Sequence, residues 1–390
     1  MRAWIRYHAF DAAIVAVGVG LALALRISLL DFKSGDYFSY TKLWYNTLKD
    51  EGFSAFGHGF ANYNLPYLYL LYAVVRCLPD LPAVIAVKIP SLVADFVAAT
   101  VAFAVVRVRY GRSSAFPLFS AFAVLFAPTV VLNGAFWGQA DAVYACVLLA
   151  TIYFMIRRQD ATAMLCYGLA LALKAQTIFL LPLVLGLVLR REIRWRAFLL
   201  IPFVMVAVLV PALLAGRPLL DLLLIYPSQA GQYQQLTMHA PTALTWVPDG
   251  GRYYAYFYAA ALTVTATLAL AFSWAIYRSS TKLSPGLLVE LSLISAILVP
   301  FFLPKMHERY FYLADVLSIV FAFYTPSHFF IPLLMTTISF FAYQPALFGV
   351  EPIPMALLAL GVFIVLVVLV RHALPRLFPS PATTESERSQ

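Results

Sequence analysis

The chain has 390 residues, of which 63% are hydrophobic and 12% are charged. Soluble domains carry about 25% charged residues, so the composition excludes a soluble enzyme, a disordered protein and a secreted disulfide-stabilised scaffold. The net charge of +9 suits a membrane protein with basic cytoplasmic loops. A spanning helix needs about 20 apolar residues, and the chain has enough for about twelve.

Clusters of basic residues indicate which ends of the spans lie in the cytoplasm. Sixteen of the 27 lysines and arginines fall into six groups: Arg2 and Arg6; Arg107, Arg109 and Arg112; Arg157 and Arg158; Arg190, Arg191, Arg194 and Arg196; Arg278 and Lys282; and Arg371, Arg376 and Arg388. If all six groups are cytoplasmic, as the positive-inside rule favours, the apolar segments close into twelve spans. Both termini are then cytoplasmic.

The predicted spans follow in chain order. They lie at about 10–30, 84–106, 115–132 and 140–156, then as two short helices within 161–189, and then at about 197–215, 253–277, 286–303, 310–324, 327–348 and 354–371. The stretch 161–189 must leave the cytoplasm and return to it, so we expect it to break near Lys174. Short helices are tolerated in a membrane where such a break lines a cavity.

The spans define a single domain at 1–378, followed by a polar tail at 379–390 that is typical of a disordered segment. Two long outer loops are predicted, at about 31–83 and 216–252. In the first loop, the apolar stretch 65–78 is interrupted by tyrosines, which is typical of a helix at the membrane interface. The alternative, a further span, would move the Arg107 group outside.

This topology collects polar side chains from five segments on the outer side. They include Asp36, Tyr40 and Asn64; Trp137, Gln139 and Asp141; Lys174 and Gln176; Tyr233; and Lys305, His307, Glu308 and Arg309. Each alone could be a loop acid, a residue at a helix N-terminus or an interfacial lysine. Ionisable residues inside a membrane protein nevertheless mark functional sites by default, and their convergence predicts a shared site.

Asp95, Glu290 and Asp315 are acidic residues within predicted spans. Asp95, roughly two turns into the second span, is expected to pair with another buried group in a structural or supporting role. Glu290 and Asp315 lie near the cytoplasmic ends of their spans, where we expect no special role for them.

The residue types at the outer site favour chemistry on a lipid phosphate. Arginine and lysine bind phosphate well, and cations would stabilise the charge that develops on a departing phosphate. A carboxylate such as Asp36 could accept the proton of an incoming hydroxyl. Amide and aromatic side chains nearby suit a sugar. Together these groups predict transfer of a sugar from a lipid phosphate.

Seven motifs carry a family resemblance. They are Asp36 with Tyr40 and Trp44; Asn64-Leu65-Pro66-Tyr67, near a Tyr-Pro-Pro segment but without its double proline; Lys88-Ile89-Pro90-Ser91 with Ala94-Asp95; Trp137-Gly138-Gln139-Ala140-Asp141; Lys174-Ala175-Gln176; His239-Ala240-Pro241 with Trp246, a divergent form of Asn-Ala-x-Asn-Leu-Trp; and His307-Glu308-Arg309-Tyr310. In this order they resemble the GT-C glycosyltransferases, membrane enzymes that use polyprenyl-phosphate sugars. The nearest likeness is to bacterial relatives of the GPI mannosyltransferases and of the dolichyl-phosphate-glucose glucosyltransferases of N-glycan assembly.

The resemblance implies an all-α GT-C-like bundle of about twelve transmembrane helices, with interfacial helices in its first outer loop. It implies an inverting displacement in which Asp36 is the general base. The donor phosphate would lie on His307, Arg309, Lys174 and Lys305, and the sugar or acceptor on Tyr40, Asn64, Trp137, Gln139, Asp141, Gln176, Tyr233 and Glu308. No metal or other cofactor is expected.

The implied partners are a polyprenyl-phosphate hexose, with mannose or glucose the leading sugars, and an acceptor that is a glycolipid, a lipid-linked oligosaccharide or a polysaccharide. The implied location is the bacterial cytoplasmic membrane, with the site facing the periplasm or the outside. A transporter or flippase of a lipid-linked saccharide is the main alternative, although the sequence shows no inverted repeats of the kind that many transporters have. A purely structural membrane protein would not need Asp36, Lys174 and His307 on one face.

Overall fold

The computed structural model describes residues 2–230, 235–248 and 251–379. Twenty α-helices occur in these ranges: α1 Arg2–Ile27, α2 Lys42–Glu51, α3 Leu65–Cys77, α4 Ala83–Ala86, α5 Ile89–Tyr110, α6 Phe116–Leu125, α7 Pro128–Val131, α8 Asp141–Ile156, α9 Asp160–Leu173, α10 Leu181–Leu189, α11 Trp195–Phe198, α12 Leu200–Ala207, α13 Val210–Leu214, α14 Leu219–Leu223, α15 Ile225–Ala230, α16 Tyr254–Arg278, α17 Pro285–Phe302, α18 Tyr312–Tyr324, α19 Phe330–Phe348 and α20 Met355–Leu377.

Shorter elements join these helices. There are π-helical turns at Tyr37–Thr41 and Leu132–Trp137, and 3-10 turns at Gly52–Gly57, Ala175–Leu180, Ala243–Trp246, Gly251–Tyr253 and Pro326–His328. Two strands, β1 at Thr237–Met238 and β2 at Met306–His307, pair in parallel.

The architecture is the predicted all-α membrane bundle, but twelve full spans are not confirmed. Among the described residues, six helical segments are long and apolar enough to cross a membrane: Ala83–Tyr110, Trp195–Leu214, Gly251–Arg278, Pro285–Phe302, Pro326–Phe348 and Met355–Leu377. A seventh would be α6 with the helix Pro128–Trp137, which are bent by 47°. The other predicted spans correspond to shorter apolar helices, including α8, α9 and α18. Packing of these short helices in the interior explains their departure from membrane length.

The predicted break in 161–189 is confirmed. Helix α9 ends at Leu173 because Lys174 has an extended backbone, with φ −158° and ψ 134°. A 3-10 turn then leads into α10, which begins beside Pro182. The hydroxyl of Tyr167 donates to the carbonyl of Thr177 at 3.1 Å, which ties the two sides of the break together. Lys174 is thereby set at the junction of two short helices.

Helix α3 occupies the apolar stretch of the first outer loop. Its 13 residues give a length of about 20 Å, short of the roughly 30 Å hydrocarbon core. One side of it is buried, through Leu65, Leu68 and Leu71, whereas Leu70 is exposed. This length and one-sided burial suit the interfacial interpretation rather than a further span.

The core is built around α17 and α18. Apart from Glu290 and two serines, helix α17 is apolar on all sides, as expected for a helix enclosed by others. Its residues from Leu287 to Ile297 are all buried. The polypeptide between these helices contains β2, which pairs with β1 from the second outer loop. The turn at 303–311 is therefore attached to the interior of the bundle through α17 and α18. The loop at 235–240 fixes it further through the pairing of β1 with β2.

Asp95, Glu290 and Asp315 are buried and bonded to other side chains. Asp95 accepts hydrogen bonds from Nε of Arg26 at 3.0 Å and from the hydroxyl of Tyr312 at 3.4 Å, so the expected pairing of Asp95 is confirmed. Glu290 and Asp315 are also fully buried. Glu290 pairs with His372 and Arg376, and Asp315 accepts from Ser339 at 2.9 Å. The expectation that these two residues have no special role is therefore wrong for the structure of the bundle, because both anchor contacts between helices.

Candidate active site

A cavity of about 360 Å³ opens where the outer segments meet. Nine of the predicted site residues line it: Asp36, Tyr40, Asn64, Gln139, Lys174, Gln176, Lys305, His307 and Arg309. Apolar side chains including Ile178, Phe179 and Leu262 form another part of the wall. The cavity therefore combines a charged region with an apolar one. Tyr233, which was also predicted, lies outside the described residues.

Asp36 is held by two side chains of the Trp137–Asp141 motif. Its Oδ2 accepts hydrogen bonds from Nε1 of Trp137 at 3.0 Å and from Nε2 of Gln139 at 2.5 Å. The residue stands just before the π-helical turn Tyr37–Thr41 and is half-buried. Two donors on one oxygen fix the orientation of the carboxylate and leave its other oxygen for a ligand in the cavity.

The loop that carries Asp36 is fastened by Lys88 and Ser34. The ammonium group of Lys88 is almost fully buried and donates to the carbonyls of Leu30 at 2.8 Å and Phe32 at 2.9 Å. The hydroxyl of Ser34 donates to the carbonyl of Trp137 at 3.1 Å. A buried lysine with several carbonyl partners has its charge compensated by dipoles, so this contact orders the chain in front of Asp36.

The segment that contains Gly138 and Gln139 is fixed by the backbone conformation of Gly138 and by a hydrogen bond from Ser91. Gly138 has φ +81°, and a Cβ placed there would lie 3.2 Å from Cγ of Lys88. Glycine is favoured here because it adopts this left-handed conformation without strain. The hydroxyl of Ser91 donates to the carbonyl of Gln139 at 2.5 Å. Lys88 and Ser91 were part of a predicted motif, but their positioning role could not be read from sequence.

Asp141 lies behind the cavity wall, where it compensates two cations. It is fully buried, forms an ion pair with Lys174 and lies 3.6 Å from Nε of Arg309. Nδ2 of Asn133 donates to it at 3.0 Å. Trp137 and Glu308 are likewise absent from the cavity lining. These three predicted sugar or acceptor contacts therefore touch other site residues instead of the open space.

Glu308 is the second buried counterion. Its Oε1 accepts from Nη1 of Arg309 at 2.5 Å, and its Oε2 lies 3.7 Å from Nδ1 of His307. Burial raises the pKa of Glu308, but the Arg309 charge and the His307 contact outweigh burial and lower the pKa to about 2. Burial also lowers the pKa of His307 below its usual value. At neutral pH, Glu308 is therefore ionised and His307 is neutral.

The charges of the site balance. Three cations, Lys174, Lys305 and Arg309, stand with three carboxylates, Asp36, Asp141 and Glu308. The sequence suggested a single well-placed carboxylate among several cations. It did not show that Asp141 and Glu308 pair with these cations, because that pairing depends on tertiary packing. An arginine has five N–H donors, so Arg309 can keep its acidic partners and still bind an anion in the cavity.

The turn with these charges is held in an unusual conformation. Lys305 has φ +63°, the left-handed region that costs a residue with a Cβ about 1–2 kcal/mol. Its backbone N–H donates to the carbonyl of Leu236 at 2.8 Å, and that of Glu308 donates to Met238 at 3.1 Å. These bonds to the second outer loop stabilise the turn and bring Lys305 to the cavity.

Several cavity residues are not among the predicted site residues, including Tyr226 and Gln229 of the second outer loop and Tyr258 of α16. Nε2 of Gln229 donates to Oδ1 of Asn64 at 3.2 Å, and Nδ2 of Asn64 donates to the carbonyl of Leu173 at 3.1 Å. Tyr226 and Tyr258 also line the cavity. The glutamine- and tyrosine-rich composition of 216–252 was a signal, but it did not show which residues would meet Asn64.

No group of three or more histidine, cysteine, aspartate or glutamate side chains suitable for a metal occurs in the part of the chain that the structure describes. No protein-family model and no curated protein matches the sequence.

A similar solved structure is the crystal structure of ArnT from Cupriavidus metallidurans bound to undecaprenyl phosphate. The similarity covers 93% of this chain and 71% of that one, with a TM-score of 0.56 and 15% sequence identity. A likeness at this identity establishes the architecture, while the closer resemblance to mannosyl- and glucosyltransferases stays a prediction. The chain therefore has the GT-C-type membrane fold that its motifs predicted.

Proposed function

We propose that the protein is a membrane glycosyltransferase that moves a sugar from a polyprenyl phosphate to an acceptor hydroxyl, with Asp36 as general base. The observation that carries the proposal is the anchored carboxylate of Asp36 in a cavity that also contains Lys174, Lys305 and Arg309. The fold adds support, because the similar ArnT structure binds undecaprenyl phosphate.

In the proposed reaction, the acceptor oxygen attacks the anomeric carbon of the donor sugar as the bond from that carbon to the phosphate oxygen breaks. Asp36 takes the proton of the attacking hydroxyl. The bonding pair leaves with the phosphate, which gains negative charge as polyprenyl phosphate. Because attack and departure occur on opposite faces, the anomeric configuration inverts.

The cations are assigned to the departing phosphate. Arg309 and Lys174 both reach the cavity and are held in place by buried carboxylates, so they are oriented before the substrate enters. Pre-oriented charge stabilises a transition state without a reorganisation cost. His307 and Lys305 complete the proposed phosphate site. We assign positioning roles to Asp141 and Glu308, which lie behind the wall.

The remaining cavity residues are proposed to bind the sugar and the acceptor. Tyr40, Asn64 and Gln176 supply aromatic and amide groups of the kind that contact sugar hydroxyls and C–H faces. A neutral hexose, mannose or glucose, is the proposed sugar on the basis of the motif resemblance. The proposed acceptor is a lipid-linked saccharide or a polysaccharide on the outer side of a bacterial cytoplasmic membrane.

The decisive experiment compares Asp36→Asn with the wild type. Purified protein is incubated with labelled polyprenyl-phosphate mannose or glucose and candidate acceptors, and the labelled product is measured. A general base contributes about 10²- to 10⁴-fold to rate, so the variant should lose at least about 100-fold of turnover while still binding donor. Asp50→Asn, an exposed carboxylate of α2 in the same loop, is the matched control and should keep wild-type turnover.

Retained turnover in Asp36→Asn would overturn the assignment of the base. Transbilayer movement of the labelled lipid by the wild type, with no sugar transfer to any acceptor, would instead support a flippase.

A further inference from the structure

A second cavity, of about 490 Å³, lies at the opposite end of the bundle from the candidate active site. It is lined by His328, Arg371 and His372 together with Phe363, Ile364, Val367 and Val368. Helix α17 connects the two regions, since Glu290 contacts His372 near its start and Leu303 of the active-site cavity follows its end. Thirteen residues of helix separate them, which is about 20 Å. The arginine clusters place this end in the cytoplasm.

The wall of this cavity is one face of α20. Phe363, Val367 and Arg371 are four residues apart, and Ile364, Val368 and His372 form a parallel row. Residues at this spacing lie above one another on a helix. In each row, the first two residues are apolar and the third is basic.

The same face of α20 looks away from the protein core. Phe363, Ile364 and Val367 are 41%, 49% and 37% exposed, whereas Val362 and Val365 of the same turns are fully buried. In a membrane, the exposed rows would contact lipid chains. The basic residues then lie at the end of a lipid-facing groove, at the depth of the headgroups.

The two histidines are oriented by protein partners through Nδ1. Nδ1 of His372 lies 2.5 Å from Oε1 of the fully buried Glu290, and Nδ1 of His328 lies 3.0 Å from Oγ of Ser327. The ring centroids of the histidines are 4.6 Å apart. No described residue bonds the Nε2 atom of either ring, so both can serve a ligand.

The charges of this region favour an anion. Glu290 is paired with Arg376 as well as with His372, so its charge is already compensated. Arg371 is exposed and has no ion pair with another described residue. An unpaired guanidinium beside two imidazoles matches a phosphate, which arginine binds through two parallel hydrogen bonds.

We propose that this cavity is a binding site for an anionic phospholipid of the cytoplasmic leaflet. The headgroup phosphate lies on Arg371 with His328 and His372, and an acyl chain follows Phe363 and Val367 along α20. The apolar rows favour a lipid over a free phosphate. An acyl chain can contact the roughly 12 Å of apolar helix face that leads to the basic end, whereas a soluble anion cannot. The site is separate from the proposed transferase chemistry.

The test uses the full-length protein in detergent, washed and then exchanged into nanodiscs that contain phosphatidylcholine with 0 or about 20% phosphatidylglycerol. Lipid retained after re-extraction is counted by quantitative mass spectrometry. The wild type should retain phosphatidylglycerol in preference to phosphatidylcholine. Arg371→Gln, and separately His328→Gln, should weaken that retention, the former by about tenfold, the equivalent of one charge-assisted phosphate contact. His372 is left in place because it contacts the buried carboxylate of Glu290.

Arg112→Gln is the matched control, because it removes one exposed basic charge from another cluster at the same end; it should retain lipid as the wild type does. Equal retention by Arg371→Gln and the control would overturn the proposal. So would equal retention of the two lipids, which would indicate acyl packing alone, or displacement of phosphatidylglycerol by inorganic phosphate or Zn²⁺, which would indicate a free-anion or metal site.

Discussion

At the scale of single residues, the site depends on pairs that are far apart in the sequence. Asp141 and Lys174 are 33 positions apart and lie at the starts of different elements. Trp137 and Gln139 reach Asp36 across about 100 positions. The sequence identified these residues as candidates because they are polar in an apolar chain. The sequence did not distinguish the residues that line the cavity from the residues that position them.

The pair of Lys174 and Asp141 yields a stability prediction. Lys174→Met removes the nearer cationic partner of a fully buried carboxylate and leaves Arg309 at 3.6 Å. It should destabilise the protein by about 3–5 kcal/mol, since breaking a buried ion pair leaves a buried charge less well compensated. The double variant Lys174→Met with Asp141→Asn removes that charge and should recover much of the loss. Thermal unfolding in detergent, followed by tryptophan fluorescence, measures both.

The comparison of single and double variants is the decisive one. If the double variant unfolds at the same temperature as Lys174→Met or below it, the ion pair is not what stabilises this part of the wall. Asp50→Asn, which changes an exposed carboxylate, should leave the unfolding temperature unchanged.

At the scale of elements, the short helices α9 and α10 contribute to the site because the break between them places Lys174 at the cavity. Helix α10 packs closely on α16, and a Cβ at Gly186 would lie 2.9 Å from Cβ of Ile276 and 3.0 Å from the carbonyl oxygen of Ser273. A glycine in an apolar helix here allows close approach of two backbones. The sequence pattern located both helices, but this contact belongs to the packing between them.

Two glycines provide a matched test of that packing. Gly20 is in α1 with no atom within 4 Å of an added Cβ, so Gly20→Ala should stabilise the protein slightly through helix propensity, by up to about 1 kcal/mol. Gly186→Ala should destabilise it by about 1–3 kcal/mol, because the added methyl group meets backbone and a branched side chain. Unfolding temperatures in detergent measure the difference, and a rise for both variants would show that α10 and α16 can separate freely.

At the scale of the whole molecule, the bundle separates two regions of different character. One end has the neutralised charge network around Asp36, and the other has the basic groups of Arg371 and the histidines. The arginine clusters predict that the second end faces the cytoplasm. The orientation follows from charge and can be measured directly.

Single-cysteine labelling tests this orientation. With Cys77, Cys146 and Cys166 replaced by serine or alanine, Asp50→Cys should react with a membrane-impermeant maleimide in intact cells. Arg112→Cys should react only after the cells are permeabilised. The reverse pattern would invert the topology and move the proposed reaction to the cytoplasm.

The sequence by itself determined the membrane class, the all-α architecture, the break at Lys174 and most of the polar residues that meet in the cavity. These depend on composition, hydrophobic periodicity and short motifs, which are local properties of the chain. The number of helices of full membrane length was not determined, because length in the bundle depends on what surrounds each helix, as for α8 and α18.

Only the tertiary structure decided which residues face the cavity and which stand behind it. Asp141 and Glu308 became counterions of Lys174 and Arg309, and Lys88 and Gln229 joined the site without a recognisable role in sequence. The physical reason is that a buried charge must find its partner wherever packing places it, and packing joins segments more than 100 residues apart. For the same reason, Glu290 and His372 meet only in the folded bundle.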